Sequence, residues 1–168
     1  DMSRGLGDVY KRQFLDLAMY IAGDSIVDIS ARSVEPHGHP DDTLVINASF
    51  GNGSIASITY ASNGHKSLPK EHLEVFCGGS VYKIDDFRSV TGFSEKPLQS
   101  KGNQDKGHDN EITAFIESIK TGTETPIPFN ELMIVSHATF SVMESIRNNG
   151  AKIEIKAEDL MSNRTEQS

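Results

Sequence analysis

The segment that most restricts the fold is residues 43–61. Leu44, Ile46, Ala48 and Phe50 alternate with Thr43, Val45, Asn47 and Ser49, which places one set on each side of an extended strand. Gly51-Asn52-Gly53 follows at once, and glycine and asparagine tolerate the positive φ of a tight reversal. The return run from about Ser54 to Ala61 is rich in β-branched and aromatic residues. A lone two-stranded ribbon is only marginally stable in water. The rest of the chain therefore has to supply more strands and a cover for the apolar side.

Both are visible. Val27, Ile29 and Ala31 alternate as a strand would. Glu35-Pro36-His37-Gly38-His39-Pro40 is a loop held open by its prolines. After a polar loop from Ser62 to Lys70, a second hairpin is predicted with strands at about Glu71–Cys77 and Ser80–Phe87, joined by Gly78-Gly79. Ser89–Phe93 reads as a short strand and Lys152–Lys156 as a last one. Glu95 to Lys106 is polar and patternless, the signature of a mobile loop. Phe14, Leu17, Ala18 and Ile21 recur at helical spacing, with Gly23 as the stop. Ile112, Phe115, Ile116 and Ile119 form an apolar stripe between an Asp109 N-cap and Gly122. Leu132, Val135, Thr139, Val142 and Ile146 form a longer stripe ended by Asn149-Gly150. Hairpin connections make a sheet mainly antiparallel. The expected fold is thus α+β: an open sheet of four to six strands with helices packed on one face. Ile58, Tyr60, Leu73, Val75 and Phe76 cannot all face one helical layer. This predicts a homo-oligomer formed through the open sheet face.

Asp1 to Gln13 reads differently. It has neither stripe nor alternation, and Gly5 and Gly7 interrupt it. Asp8-Val9-Tyr10-Lys11-Arg12-Gln13 is also a direct reading of GAT GTG TAT AAG AGA CAG. That string resembles the mosaic end of a transposon used to fragment DNA for sequencing. The expected organisation is a non-native, adapter-derived segment at 1–13, a single α+β domain at 14–157 and a flexible tail at 158–168.

A net charge of −8 argues against nucleic acid and anionic membranes as partners. No apolar run approaches the roughly 20 residues a membrane helix needs. Cys77 is the one cysteine, so no internal disulfide framework forms, which fits a cytoplasmic setting. With no base near it in sequence, Cys77 reads as a buried, inert thiol, and His137 reads as a structural helix residue. His37 and His39 are two apart, but a metal needs three or four ligands, so no metal site is expected. Gly51-Asn52-Gly53-Ser54-Ile55-Ala56 has the form G-x-G-x-x-A. A dinucleotide site needs a helix after such glycines, and here a strand is predicted. No cofactor-binding residues are therefore expected in this chain.

Several stretches in this order resemble one family. Phe14-Leu15-Asp16-Leu17-Ala18-Met19-Tyr20-Ile21-Ala22-Gly23, Asp41-Asp42-Thr43, Phe50-Gly51-Asn52-Gly53-Ser54-Ile55 and Pro126-Ile127-Pro128-Phe129 resemble the C-terminal domain of glucose–fructose oxidoreductase/inositol dehydrogenase-type (Gfo/Idh/MocA) enzymes. Asn63-Gly64-His65-Lys66-Ser67-Leu68-Pro69-Lys70-Glu71 and Lys106-Gly107-His108-Asp109-Asn110-Glu111 look like the branch fused to zinc-type dehydrogenases in surface-polysaccharide gene clusters. The resemblance covers about residues 14–150. It implies a parent enzyme that moves hydride between NAD or NADP and a sugar or polyol CH–OH carbon. In that family a Rossmann domain, absent from this chain, holds the cofactor. The family's usual catalytic histidine lies three residues before the aspartate matched by Asp16, and here that position is Gln13. Glutamine cannot titrate near neutral pH. The resemblance makes Asp16 the candidate catalytic residue and His65, Lys66, Lys106 and His108 the candidate substrate-binding residues. It also makes the chain a truncated piece that is inactive alone.

Two other classes remain open on the residues. One is a non-enzymatic α+β module that dimerises or binds carbohydrate. The other is a metal-binding protein.

Overall fold

The computed structural model describes residues 3–34, 43–62 and 64–156, with side chains described from residue 12. The prolines and histidines of the 35–40 loop, Asp41-Asp42, Asn63 and the tail beyond 156 lie outside the described residues. The chain forms two compact units, one of Asp1–Asn63 with Ile127–Ser168 and one of Gly64–Pro126.

The first unit carries an antiparallel sheet in the order β3 (Ile55–Ala61), β2 (Thr43–Phe50), β1 (Ile26–Ser33), β8 (Ile153–Glu154). Registered pairs build its inner face in rows: Ile29 with Ala48 and Ala56, Ala31 with Ile46 and Ile58, Ser33 with Leu44 and Tyr60. Helices α1 (Ser3–Ala22) and α3 (Phe129–Arg147) cover this face. Leu15, Ile29, Ile46, Ala138 and Val142 are completely buried there. Full burial of such a side chain stabilises by about 1.5–3 kcal/mol, so this layer is the molecule's main core. Helices on one face of an antiparallel sheet are what the residues imply.

Three details of the helices differ from the sequence reading. The face of α1 that enters the core is Leu15, Ala18, Met19 and Ala22, while Ile21 of the predicted stripe is 39% exposed. Ala18 serves both stripes, so the helical period alone does not choose between adjacent faces. Helix α1 also runs back to Ser3, through the segment that shows no stripe. Extending an existing helix adds one hydrogen bond for each residue ordered, which tolerates Gly5 and Gly7. In α3 the buried residues are Ile134, Val135, Ala138, Thr139, Ser141, Val142 and Ser145, a wider band than the predicted stripe.

The Gly51-Asn52-Gly53 turn closes with Gly53 N–H donating to Phe50 O at 2.9 Å, and Gly53 has φ of 84°. Asn52 Nδ2 donates to Ala22 O at 2.8 Å. The turn therefore satisfies one of the carbonyls that a helix C-terminus leaves open. The residue run after Gly53 is strand β3, so the helix N-terminus a pyrophosphate needs is not built behind these glycines.

The second unit carries its own antiparallel sheet, β4 (His72–Cys77), β5 (Ser80–Asp85), β6 (Ser89–Phe93), β7 (Leu98–Lys101), in sequence order. The apolar residues of both hairpins thus divide between two sheets, and Ile58 and Tyr60 never share one with Leu73, Val75 and Phe76. Strand β7 lies inside the stretch predicted to be a mobile loop. It has no alternating pattern because all four of its residues are exposed, and its pairing to β6 runs through the backbone. Helix α2 (His108–Thr121) begins after Gly107, not after an Asp109 cap. Asp109 falls in its first turn, and Gly107 has φ of 78° with no side-chain cap. The predicted apolar stripe of α2 is uncovered, with Ile112, Phe115, Ile116 and Ile119 all more than 40% exposed.

Candidate functional site

Within the second unit, an open groove of about 630 Å³ lies at the end of the sheet where β4 and β6 start and β5 and β7 finish. Ligand sites commonly fall in the range of roughly 300–1,000 Å³. The loop 66–70 forms one wall, and Asp85, Asp86, Arg88 and Ser89 form the next. Lys101, Gln104 and Lys106 complete it.

The loop wall is shaped by His65. Leu68 N–H donates to His65 O at 3.0 Å, and Ser67 N–H donates to His65 Nδ1 at 3.2 Å. His65 thus ties the turn that presents Lys66, and its ring is not part of the groove's lining.

The wall at the tip of β5 and β6 is strained. Asp86 and Phe87 are adjacent non-glycine residues with φ of 51° and 52°, a region that costs an L-residue about 1–2 kcal/mol. The turn persists because it is tied on every side. Asp86 N–H donates to Glu71 O at 2.7 Å, and Arg88 N–H donates to Asp85 O at 2.9 Å. Gly102 N–H donates to Arg88 O at 2.8 Å, and Asp105 N–H to Phe87 O at 3.1 Å. Gln104 Nε2 donates to Asp86 O at 3.0 Å. Strained backbone held this firmly is a recurrent feature of binding sites.

Charges are paired beneath the groove. Lys106 Nζ bonds Glu71 Oε1 at 2.6 Å, with side chains only 26% and 15% exposed, and lies 6.0 Å from the Phe87 ring centre. Arg88 Nε donates to Asp86 Oδ2 at 3.0 Å. The hydrogen bond from the Arg88 guanidinium holds the Asp86 carboxyl below its usual range, and partial burial opposes this. His72 Nδ1 meets Asp85 Oδ1 at 2.9 Å across the β4–β5 pair.

The structure brings Lys66 and Lys106 of the sequence-derived candidates into one groove. His65 braces that groove from behind, and His108 is an exposed first-turn residue of α2 outside its lining. Asp16 is half-buried and Gln13 exposed on α1 of the first unit. Arg88 and Lys101 are groove residues the sequence did not suggest. Lys101 ends the strand whose exposed residues carry no pattern, and Arg88 follows a turn without glycine. Cys77 is exposed, not buried, because it closes β4 at the Gly78-Gly79 turn. Among the described residues no group of three or more metal-ligating side chains gathers, and no helix is long and apolar enough to cross a membrane.

No protein-family model and no curated protein matches the sequence. Solved structures do match the fold. The UDP-N-acetylglucosamine 3-dehydrogenase GnnA from Acidithiobacillus ferrooxidans superposes with a TM-score of 0.71 at 15% identity, over 82% of this chain and 45% of that one. The aldose-aldose oxidoreductase from Caulobacter crescentus, complexed with glycerol, gives 0.69 at 14% identity, over 86% and 45%. An oxidoreductase from Agrobacterium radiobacter, in complex with NAD+, L-tartaric acid and magnesium, gives 0.71 at 14% identity, over 88% and 47%. The chain therefore spans about half the length of the proteins it matches. Its α+β fold, an antiparallel sheet covered by helices on one side, is shared with part of each of these oxidoreductases.

Proposed function

We propose that this chain is the substrate-side domain of an NAD- or NADP-dependent oxidoreductase acting on a sugar or polyol CH–OH group, and that alone it transfers no hydride. The observation that carries the reading is the match over 82% of the chain to less than half of a nucleotide-sugar dehydrogenase. The residues agree with it. The G-x-G-x-x-A run at 51–56 leads into strand β3 and not into a helix, so we place the cofactor on a separate nucleotide-binding domain. Gln13 stands where the catalytic histidine is expected, so that position offers no group able to take the hydroxyl proton near neutral pH. Asp16, three residues on, would act beside that histidine in a complete enzyme, as a substrate contact or as its orienting group. Lys66 and Lys106, with His65 behind them and His108 nearby in sequence, are the substrate-binding candidates. The setting is cytoplasmic sugar chemistry that feeds polysaccharide synthesis. Self-association belongs to the same reading: Phe76 and Phe93, in register through Val81 on one face of the second sheet, are 71% and 55% exposed, a surface suited to a second copy.

The test begins with the gene. Genomic DNA upstream of the Phe14 codon is expected to encode histidine at position 13 and, before it, a strand, a glycine-rich turn and a helix. The complete product should reduce NAD+ or NADP+ in the presence of a sugar substrate, and Asp16→Asn should slow it. Upstream DNA without such a unit would favour the non-enzymatic carbohydrate-binding or dimerisation module instead.

A further inference from the structure

The groove of the second unit has a charge character that the proposed hydride chemistry does not use. The protein carries −8 overall, yet five cationic side chains line this one surface: Lys66, Lys70, Arg88, Lys101 and Lys106. Its two carboxylates are already engaged, Asp86 by Arg88 and Asp85 by His72. Arg88 and Lys106 are each held by an acid at 3.0 and 2.6 Å, so they are fixed in direction. Lys66, Lys70 and Lys101 have no acidic partner within 4.0 Å among the described residues and are exposed. Like charges gathered on one concave surface repel, and the arrangement lowers its energy when an anion arrives. The strained Asp86-Phe87 turn, tied by five hydrogen bonds, keeps the wall in place before any ligand is present. A preformed wall means that little ordering has to accompany binding.

We infer that this groove binds the anionic group of a sugar ligand, a carboxylate or a diphosphate, with Lys66, Lys70 and Lys101 as its charge partners and Arg88 as an oriented donor. The inference rests on the reading above for the sugar and on the groove alone for the anion. Carboxylate and diphosphate offer the same chemistry to lysine, namely several oxygen acceptors around a negative centre.

Isothermal titration of the whole chain with UDP, with sodium glucuronate and with glucose tests it. Saturable binding is expected from UDP, glucuronate or both, weakening as salt rises, with none from glucose. Binding by UDP alone assigns a diphosphate, and binding by glucuronate alone assigns a carboxylate. The double variant Lys66→Gln/Lys101→Gln, whose exposed positions leave folding intact by circular dichroism, should bind at least about tenfold more weakly. Lys83→Gln, on the same sheet but outside the groove, should bind like the parent. Saturation by neither anion, or equal loss in the Lys83 variant, would overturn the inference. Failure here with an active complete enzyme refutes the anion site alone. Anion binding by a chain whose complete gene product moves no hydride refutes only the enzymatic reading.

Discussion

Ser145 on α3 and Ala31 on β1 are 114 residues apart and joined by a buried hydrogen bond. The Ser145 hydroxyl oxygen accepts Ala31 N–H at 2.8 Å, while its hydrogen goes to Ala151 O at 2.6 Å. Strand β8 pairs only with Asp28 and Ile29, so the ladder on that side ends before Ala31. A helix side chain completes what the short strand leaves open, and one hydroxyl serves both a donor and an acceptor.

Ser145→Ala would leave the buried Ala31 N–H unsatisfied and take the donor from the part-buried Ala151 carbonyl. The expected loss is about 2 kcal/mol, read as a lower urea midpoint at unchanged m. An unchanged midpoint would mean that water replaces the hydroxyl.

Gly150 follows the end of α3 with φ of 80°, and a Cβ there would lie 2.7 Å from Arg32 Nε. Gly150→Ala should cost about 1–2 kcal/mol. Gly53→Ala, where nothing lies within 4 Å, tests the backbone contribution by itself. The difference between the two thermal midpoints isolates the clash.

In the second unit, Lys106→Met leaves Glu71 covered and unpaired. A loss of roughly 2 kcal/mol is expected. Adding Glu71→Gln should recover part of it, because the uncompensated charge is then gone. A cycle of the two variants measured by denaturation gives the coupling.

Arg88 holds the Asp86 carboxyl below its usual value of 3.8. A carboxyl depressed by folding adds stability that is present above the unfolded value and is lost as pH falls through the folded one. Acid below pH 3.8 should therefore loosen the 85–88 turn. Arg88→Gln should move the Asp86 titration upward in a carboxyl NMR series; an unmoved titration would mean that Arg88 is not the cause of the shift.

Cys77 is exposed, so the folded chain should react with Ellman's reagent to completion without denaturant. Reaction only after unfolding would place the thiol under cover.

How much was legible depends on how each element earns its stability. The hairpin at Thr43–Ala61 is written locally, because alternation specifies the face and Gly51-Asn52-Gly53 permits the reversal. The same holds for α3, whose apolar band is wide enough to survive an error of one residue. For α1 the stripe was one position out, since Ala18 fits two faces and only the partner helix and sheet choose. Lys66 and Lys106 were found through family resemblance.

The sequence by itself determined the fold class, the two hairpins and the absence of a helix behind Gly53, because those depend on periodicity and on backbone freedom at single residues. Tertiary structure alone decided that the strands form two sheets, that Leu98–Lys101 is a strand, and that Lys66, Lys70, Arg88, Lys101 and Lys106 share a groove. Pairing between backbones and convergence of exposed side chains leave no periodic trace. They carry no burial signal, and burial is what a sequence pattern records.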